Sequence, residues 1–342
     1  MSKTDYFKLD FWKEVRTREP YRRYRIVDFL GIGGTAASFL AVCISPKEYI
    51  GRLVAIQFFR KYSVPERLNK FLEAFSFLSD CTHPSIVNVY GLHTYYERPM
   101  IVTEYLPLTL HDVIRKKKSS IVEKTSFAMQ LLSALVFLEQ QKVVHRDIKP
   151  SNIFVKGKSC MLGDFGMMKR IETTSDDEDI IEAMAVADTY LDGTEVYQIP
   201  LTEYGMIDAK EVENSGITVT GHYWSPDKVL DYAGIEDITP ASDVYQLGLV
   251  LAHLFTGWNH QPKLPRDGRG EPDLDMALQV ALGPESVRRI PSYAGPGIAN
   301  LISKMLEKNP SDRPQAKDLI VSWIGVFEEV TRAARVIEGR VF

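Results

Sequence analysis

Residues 145–152 read His-Arg-Asp-Ile-Lys-Pro-Ser-Asn, and Asp164-Phe165-Gly166 begins twelve residues after Asn152. No other feature of the chain leaves so few folds open. An acid, a cation, an amide and a second acid stand at fixed offsets: Asp147, Lys149, Asn152 and Asp164. Apolar pieces bracket both segments. Val143-Val144 precedes the first, Ile153-Phe154-Val155 follows it, and Cys160-Met161-Leu162 leads into Asp164. Short apolar runs separated by polar turns predict a strand, a loop, a hairpin and a second loop. An ordinary solvated loop of charged residues would need no such brackets.

These groups suit the transfer of a phosphoryl group from Mg-ATP to a hydroxyl. Asp147 can accept the hydroxyl proton, and Lys149 can neutralise the moving phosphate. Asn152 and Asp164 can hold magnesium. The spacing resembles the H-R-D-x-x-x-x-N and D-F-G signature of protein kinases. A lone Asp-Phe-Gly is weak, but the eight-residue run with Lys149 and Asn152 in register is specific. The resemblance implies an α+β class: a bilobal protein kinase-like fold, with a small five-stranded β lobe carrying one helix and a larger α-helical lobe.

The pattern along the chain agrees. Residues 1–21 form a charged, aromatic-bearing extension, either a capping helix or a frayed tail. Strand patterns cover residues 25–30, 37–44, 52–59, 86–92 and 100–105. Residues 65–78 have helical spacing, with Leu68, Phe71, Leu72, Phe75 and Leu78 on one face. Helices are expected at 110–117, 121–140, 242–256, 298–307 and 316–329. The kinase-like domain is expected over 22–330, split into an N-lobe (22–105) and a C-lobe (106–330), with a tail at 331–342.

Within that resemblance, Gly31, Gly33 and Gly34 open the glycine-rich loop over the ATP phosphates, where small residues let backbone N–H groups come close. Ala36 and Ser38 stand where the family has Gly and Val. Ala55 would roof the adenine and Phe154 would floor it. The Glu104 carbonyl and the Leu106 amide would pair with it, and Thr103 would be the small gatekeeper. Val54-Ala55-Ile56-Gln57 departs from the family's V-A-I-K: Gln57 replaces the phosphate-pairing Lys. An amide brings no charge, and charge-assisted bonds contribute about 1.5–3 kcal/mol. Losing one from the transition state slows a reaction roughly ten- to a few hundred-fold. No Lys or Arg occurs from residue 31 to 45 to take its place. Glu73 is the candidate for that Lys's helix partner.

Further on, residues 220–227 resemble T-x-x-Y-x-A-P-E. Asp227 holds the Glu position, and Arg313 is its expected distal partner. Ser242-Asp243-Val244 matches the buried helix whose Asp braces the catalytic loop. The activation segment, 164–227, is long. It carries the acidic run 176–179 and the apolar stretch 180–186, which read either as a solvated insertion or as a helix that occupies a regulatory partner's site or blocks the cleft. Arg146 would receive a phosphate from this segment, with Ser215 and Thr218 the nearest acceptors.

The chain has 342 residues, of which 45% are hydrophobic, enough for a large core. A net charge of -4 argues against a broad nucleic-acid surface. The three cysteines are far apart, so no disulfide framework is expected, and a reducing, cytoplasmic setting fits. No signal peptide or membrane span is expected. The resemblance implies a serine/threonine protein kinase with ATP, Mg and a protein substrate. Gln57 keeps open a pseudokinase, a scaffold that binds nucleotide or partners. A small-molecule kinase is disfavoured by the 220–227 segment and the full helical lobe.

Overall fold

The computed structural model describes residues 12–17, 21–32, 36–59, 65–96, 98–116, 119–171, 223–232, 234–235, 237–260 and 295–337. They fall into two units. Those up to 82 and those of 88–105 form the first; those of 83–87 and from 106 onward form the second, apart from the undescribed 173–218.

Strict alternation builds the first unit. In β3 (Ala36–Ser45), Ala37, Phe39, Ala41 and Cys43 point inward. In β4 (Leu53–Phe59), Val54, Ile56 and Phe58 do the same. Tyr24 and Ile26 of β2 (Arg22–Ile32) and Met100 and Val102 of β6 (Arg98–Glu104) join them in one core. Phe39 and Phe58 meet edge-on at 5.7 Å, as do Phe58 and Tyr95. On the other side, Leu68, Leu72 and Phe75 of α1 (Pro65–Asp80) pack with Phe59 and Ile101. This is the apolar helix face expected from the spacing; the Phe71 side chain lies outside the described residues.

The antiparallel sheet has six strands, not five, in the order β1-β2-β3-β4-β6-β5, with β5 at Val89–Tyr95. The added strand, β1 (Glu14–Thr17), falls in what the sequence marks as an extension. It pairs with β2, Glu14 opposite Arg25 and Val15 opposite Tyr24. Four residues with two inward side chains, Val15 and Thr17, are too few to show a period. The pairing is fixed instead by Glu14, whose carboxylate binds Arg23 at 2.7 Å and Arg25 at 3.3 Å.

The second unit is mainly helical. Its central helix, α3 (Ile121–Gln140), begins at a capping box in which Ser120 Oγ accepts from Glu123 N and Glu123 Oε2 accepts from Ser120 N. By length and composition α3 could cross a membrane. Here Phe127, Leu131, Leu132, Leu135 and Leu138 are buried, and the helix packs on α5 (Pro240–Thr256) and α7 (Ala316–Ile337). Helix α5 stops where Gly257 adopts a left-handed φ of 79°. Helix α7 runs through residue 337, beyond the expected domain end at 330; no proline interrupts residues 316–337, and Gly325 lies within the helix without ending it. Helices α2 (Leu110–Lys116), α4 (Pro226–Tyr232) and α6 (Pro296–Met305) complete the described part.

Candidate active site

Three short pieces of sheet hold the chemical residues, as the apolar brackets predict. Strand β8 is Val143–Val144; β9 (Ile153–Lys156) and β10 (Ser159–Leu162) form the hairpin. Strand β7 (Leu108–Thr109) adds to β9, and β11 (Lys169–Arg170) pairs with β8. Residues 83–87 join this sheet: Leu162 N donates to Ser85 O at 2.8 Å and Val87 N to Leu162 O at 2.9 Å. Gly163 comes next, and it has to be small. A Cβ there would meet the Phe154 ring and Val87, both at 2.9 Å.

The loop between β8 and β9 is held from below by α5. Asp243 accepts from His145 N at 2.6 Å and from Arg146 N at 2.9 Å. Gln246 Oε1 accepts from Ile148 N at 2.8 Å, and its Nε2 donates to Arg146 O at 3.0 Å. These buried bonds let Arg146 hold a φ of 69°. His145 is fully enclosed. Its Nε2 donates to Gly163 O at 3.0 Å, its Nδ1 accepts from Asp147 N at 3.3 Å, and its ring lies 4.5 Å from that of Phe165. Burial pulls its pKa down to about 4, so it is neutral.

On this frame Asp147, Lys149 and Asn152 come together. Lys149 Nζ donates to Asp147 Oδ2 at 2.6 Å. Asn152 Nδ2 donates to the same oxygen and to Asp147 O, both at 2.9 Å. Burial alone would raise the Asp147 pKa, but the ammoniums of Lys149 and Lys228 outweigh it and hold the carboxyl below its usual range. Asp164 follows Gly163 at a left-handed φ of 57°. Crowding by the surrounding protein, then the Asp147 charge, raise its pKa. Its surface stays exposed, so water limits that rise. Among the described residues Asp164 forms no ion pair. A carboxylate with a second acid nearby and a side-chain amide two strands back fits a hard divalent cation that keeps other oxygen ligands.

Arg146, the expected receiver of a phosphate, has its guanidinium paired with Asp231 of α4, and Lys169 Nζ stands 3.8 Å from the same carboxylate. Arg313 reaches Asp227, as the motif implies: Nη1 donates to Oδ1 at 2.8 Å, and both side chains are buried. The arginine also donates to the carbonyls of Ala241, Glu307 and Lys308. Sequence reading missed Lys228, which is buried and donates to Arg146 O. It lies beside a motif position rather than in one, and its partners are more than eighty residues away.

The remaining candidates lie on the sheet of the first unit or begin the second. Ala55 and Gln57 share the partly open face of β4; Ala55 pairs with Leu40 and Thr103, and Gln57 with Ser38 and Ile101. Gly31 lies in β2 opposite Ser38. Thr103 Oγ1 bonds the Glu104 carbonyl at 3.3 Å, and Glu104 N donates to Asn88 O at 2.9 Å. Leu106 is buried, and Phe154 is half-buried on β9. Glu73 is half-buried on α1. Gly33, Gly34, Thr220, Ser215, Thr218 and the stretches 176–179 and 180–186 lie outside the described residues.

The Protein kinase domain family matches residues 24–324, and the chain belongs to it. It is 28% identical to the serine/threonine-protein kinase PrkC of Bacillus subtilis over 85% of this chain and 38% of that protein. It is 26% identical to cell division control protein 2 homolog 3 of Trypanosoma brucei brucei, covering 88% of this chain and 91% of the relative. A third relative, the serine/threonine-protein kinase pkn2 of Myxococcus xanthus, is 23% identical over 86% of this chain and 31% of its own length. The chain thus spans about a third of the two bacterial relatives, but nearly all of the trypanosome one.

Proposed function

We propose that this chain is a serine/threonine protein kinase that transfers the γ-phosphoryl group of Mg-ATP to hydroxyls of a protein substrate. One observation carries the reading: Lys149 and Asn152 share one oxygen of Asp147, so a charged, oriented carboxylate remains for a substrate hydroxyl. Asp147 would orient that hydroxyl and take its proton. Lys149, already beside it, would meet negative charge that develops on the transferred group. Asn152 and Asp164 would hold magnesium, which supplies charge neutralisation at the phosphates when bound. The family resemblance adds Gly31, Gly33, Gly34, Ala55, Gln57, Glu104, Leu106 and Phe154 as nucleotide-binding positions. The three free thiols, Cys43, Cys81 and Cys160, agree with a cytoplasmic protein.

A second reading, a pseudokinase scaffold, is favoured by Gln57, which leaves β4 without its ammonium. The two part in one assay with Mg-ATP and a basic protein substrate. Activity that Asp147→Asn abolishes supports the enzyme, and Gln57→Lys should then raise it roughly ten- to a hundredfold. No activity in the chain as it stands, with activity appearing on Gln57→Lys, supports the scaffold.

A further inference from the structure

Lys228 of α4 is only 4% exposed. Its Nζ donates to the Arg146 carbonyl at 2.5 Å, an oxygen that already accepts from Gln246. It stands 3.7 Å from Asp147 Oδ1 and 4.8 Å from the centre of the Trp224 ring. A buried ammonium is costly unless its surroundings use the charge. Burial pulls its pKa down to about 8 even with Asp147 opposing. The two oxygens of Asp147 are treated differently. Oδ2 accepts from Lys149 and Asn152. Oδ1 accepts no hydrogen bond among the described residues and faces only Lys228. At that separation the ammonium attracts the oxygen without occupying its lone pairs.

We propose that Lys228 is a positioning residue for the acid of the catalytic loop, clipping α4 to the Arg146 carbonyl and turning Asp147 so that Oδ1 is presented to the substrate hydroxyl. This rests on the kinase reading of Asp147. A lysine with a merely structural role would need the carbonyl alone; the carboxylate contact is what makes it act on the chemistry. The loop is then set by α5 from beneath, through Asp243 and Gln246, and by α4 from the side.

The test uses the full chain, Lys228→Met and Lys228→Arg, each with and without Asp147→Asn. Phosphorylation of mixed histones gives kcat and KM, and thermal unfolding gives a double-mutant cycle. Lys228→Met should lower kcat about 10- to 100-fold with KM for ATP within about twofold, and Lys228→Arg should restore most of it. The Lys228→Met and Asp147→Asn unfolding shifts should be non-additive. Unchanged kcat in an active chain overturns the proposal. So do additive shifts, even where kcat falls, because the loss then comes from a loosened α4. If the parent chain is no more active than Asp147→Asn, the kinase reading fails, and the unfolding cycle still decides whether Lys228 acts on Asp147.

Discussion

Arg313 and Asp227 are both enclosed and compensate each other's charge, while three backbone carbonyls take the remaining guanidinium bonds. Removing one partner of such a pair leaves an uncompensated buried charge, which costs about 3–5 kcal/mol. Arg313→Met should therefore destabilise the protein by about that much in urea unfolding, whereas Arg313→Met with Asp227→Asn should lose clearly less. The same logic applies to Asp231, which neutralises Arg146: Asp231→Ala should cost about 3 kcal/mol, read by the same unfolding measurement. Residues at fixed motif offsets were legible in the sequence: Asp147, Lys149, Asn152, the brace at Asp243 and the Asp227–Arg313 pair. Lys228 and Asp231 were not. Each acts across a long loop of chain on a partner that no local spacing marks, Lys228 on the Arg146 carbonyl and Asp231 on the Arg146 guanidinium.

Among the elements, the strands and helices with a full period were legible in sequence, and so was the two-residue β8 before the catalytic loop, whereas β1, β7 and β11 were not. Strand β3 shows four alternating inward residues; β1 shows two, and β7 consists of two residues in all. Strand β5 begins at Val89 rather than 86 because Ile86 and Val87 are used by β10 instead. Strand β1 gives the sharpest check. Val15 is fully buried in the core of the first unit. Val15→Ser should cost about 2 kcal/mol in chemical denaturation, since it removes buried methyls and encloses a hydroxyl. A frayed extension would give a change near zero. At the other end, α7 runs past the expected boundary and buries Trp323 against Phe255, their rings 5.8 Å apart. Truncation within α7 before Trp323 should accordingly abolish cooperative unfolding rather than trim a tail.

At the scale of the whole molecule, three histidines are held uncharged. Burial pulls His93, His145 and His253 each down to about 4, with Arg22 adding to the effect at His93. Their unfolded value is about 6.5, so between these limits the unfolded chain binds more protons than the folded one. Their contribution to stability is complete above pH 6.5 and is lost as pH falls toward 4. A melting temperature that declines steadily from pH 6.5 to 5, and declines less in His93→Leu, is the expected result. The threading of residues 83–87 has another consequence, for synthesis. This segment leaves the first unit between α1 and β5 and hydrogen-bonds to β10 through Ser85 and Val87. A ribosome that has released residues 1–105 has therefore delivered every strand of the six-stranded sheet, yet the Ser85 carbonyl and the Val87 amide have no mate until residue 162 emerges. A fragment that ends at residue 105 would leave these two groups to water, whereas a chimaera that exchanges residues 1–105 between relatives keeps both bonds, because they join main chain to main chain.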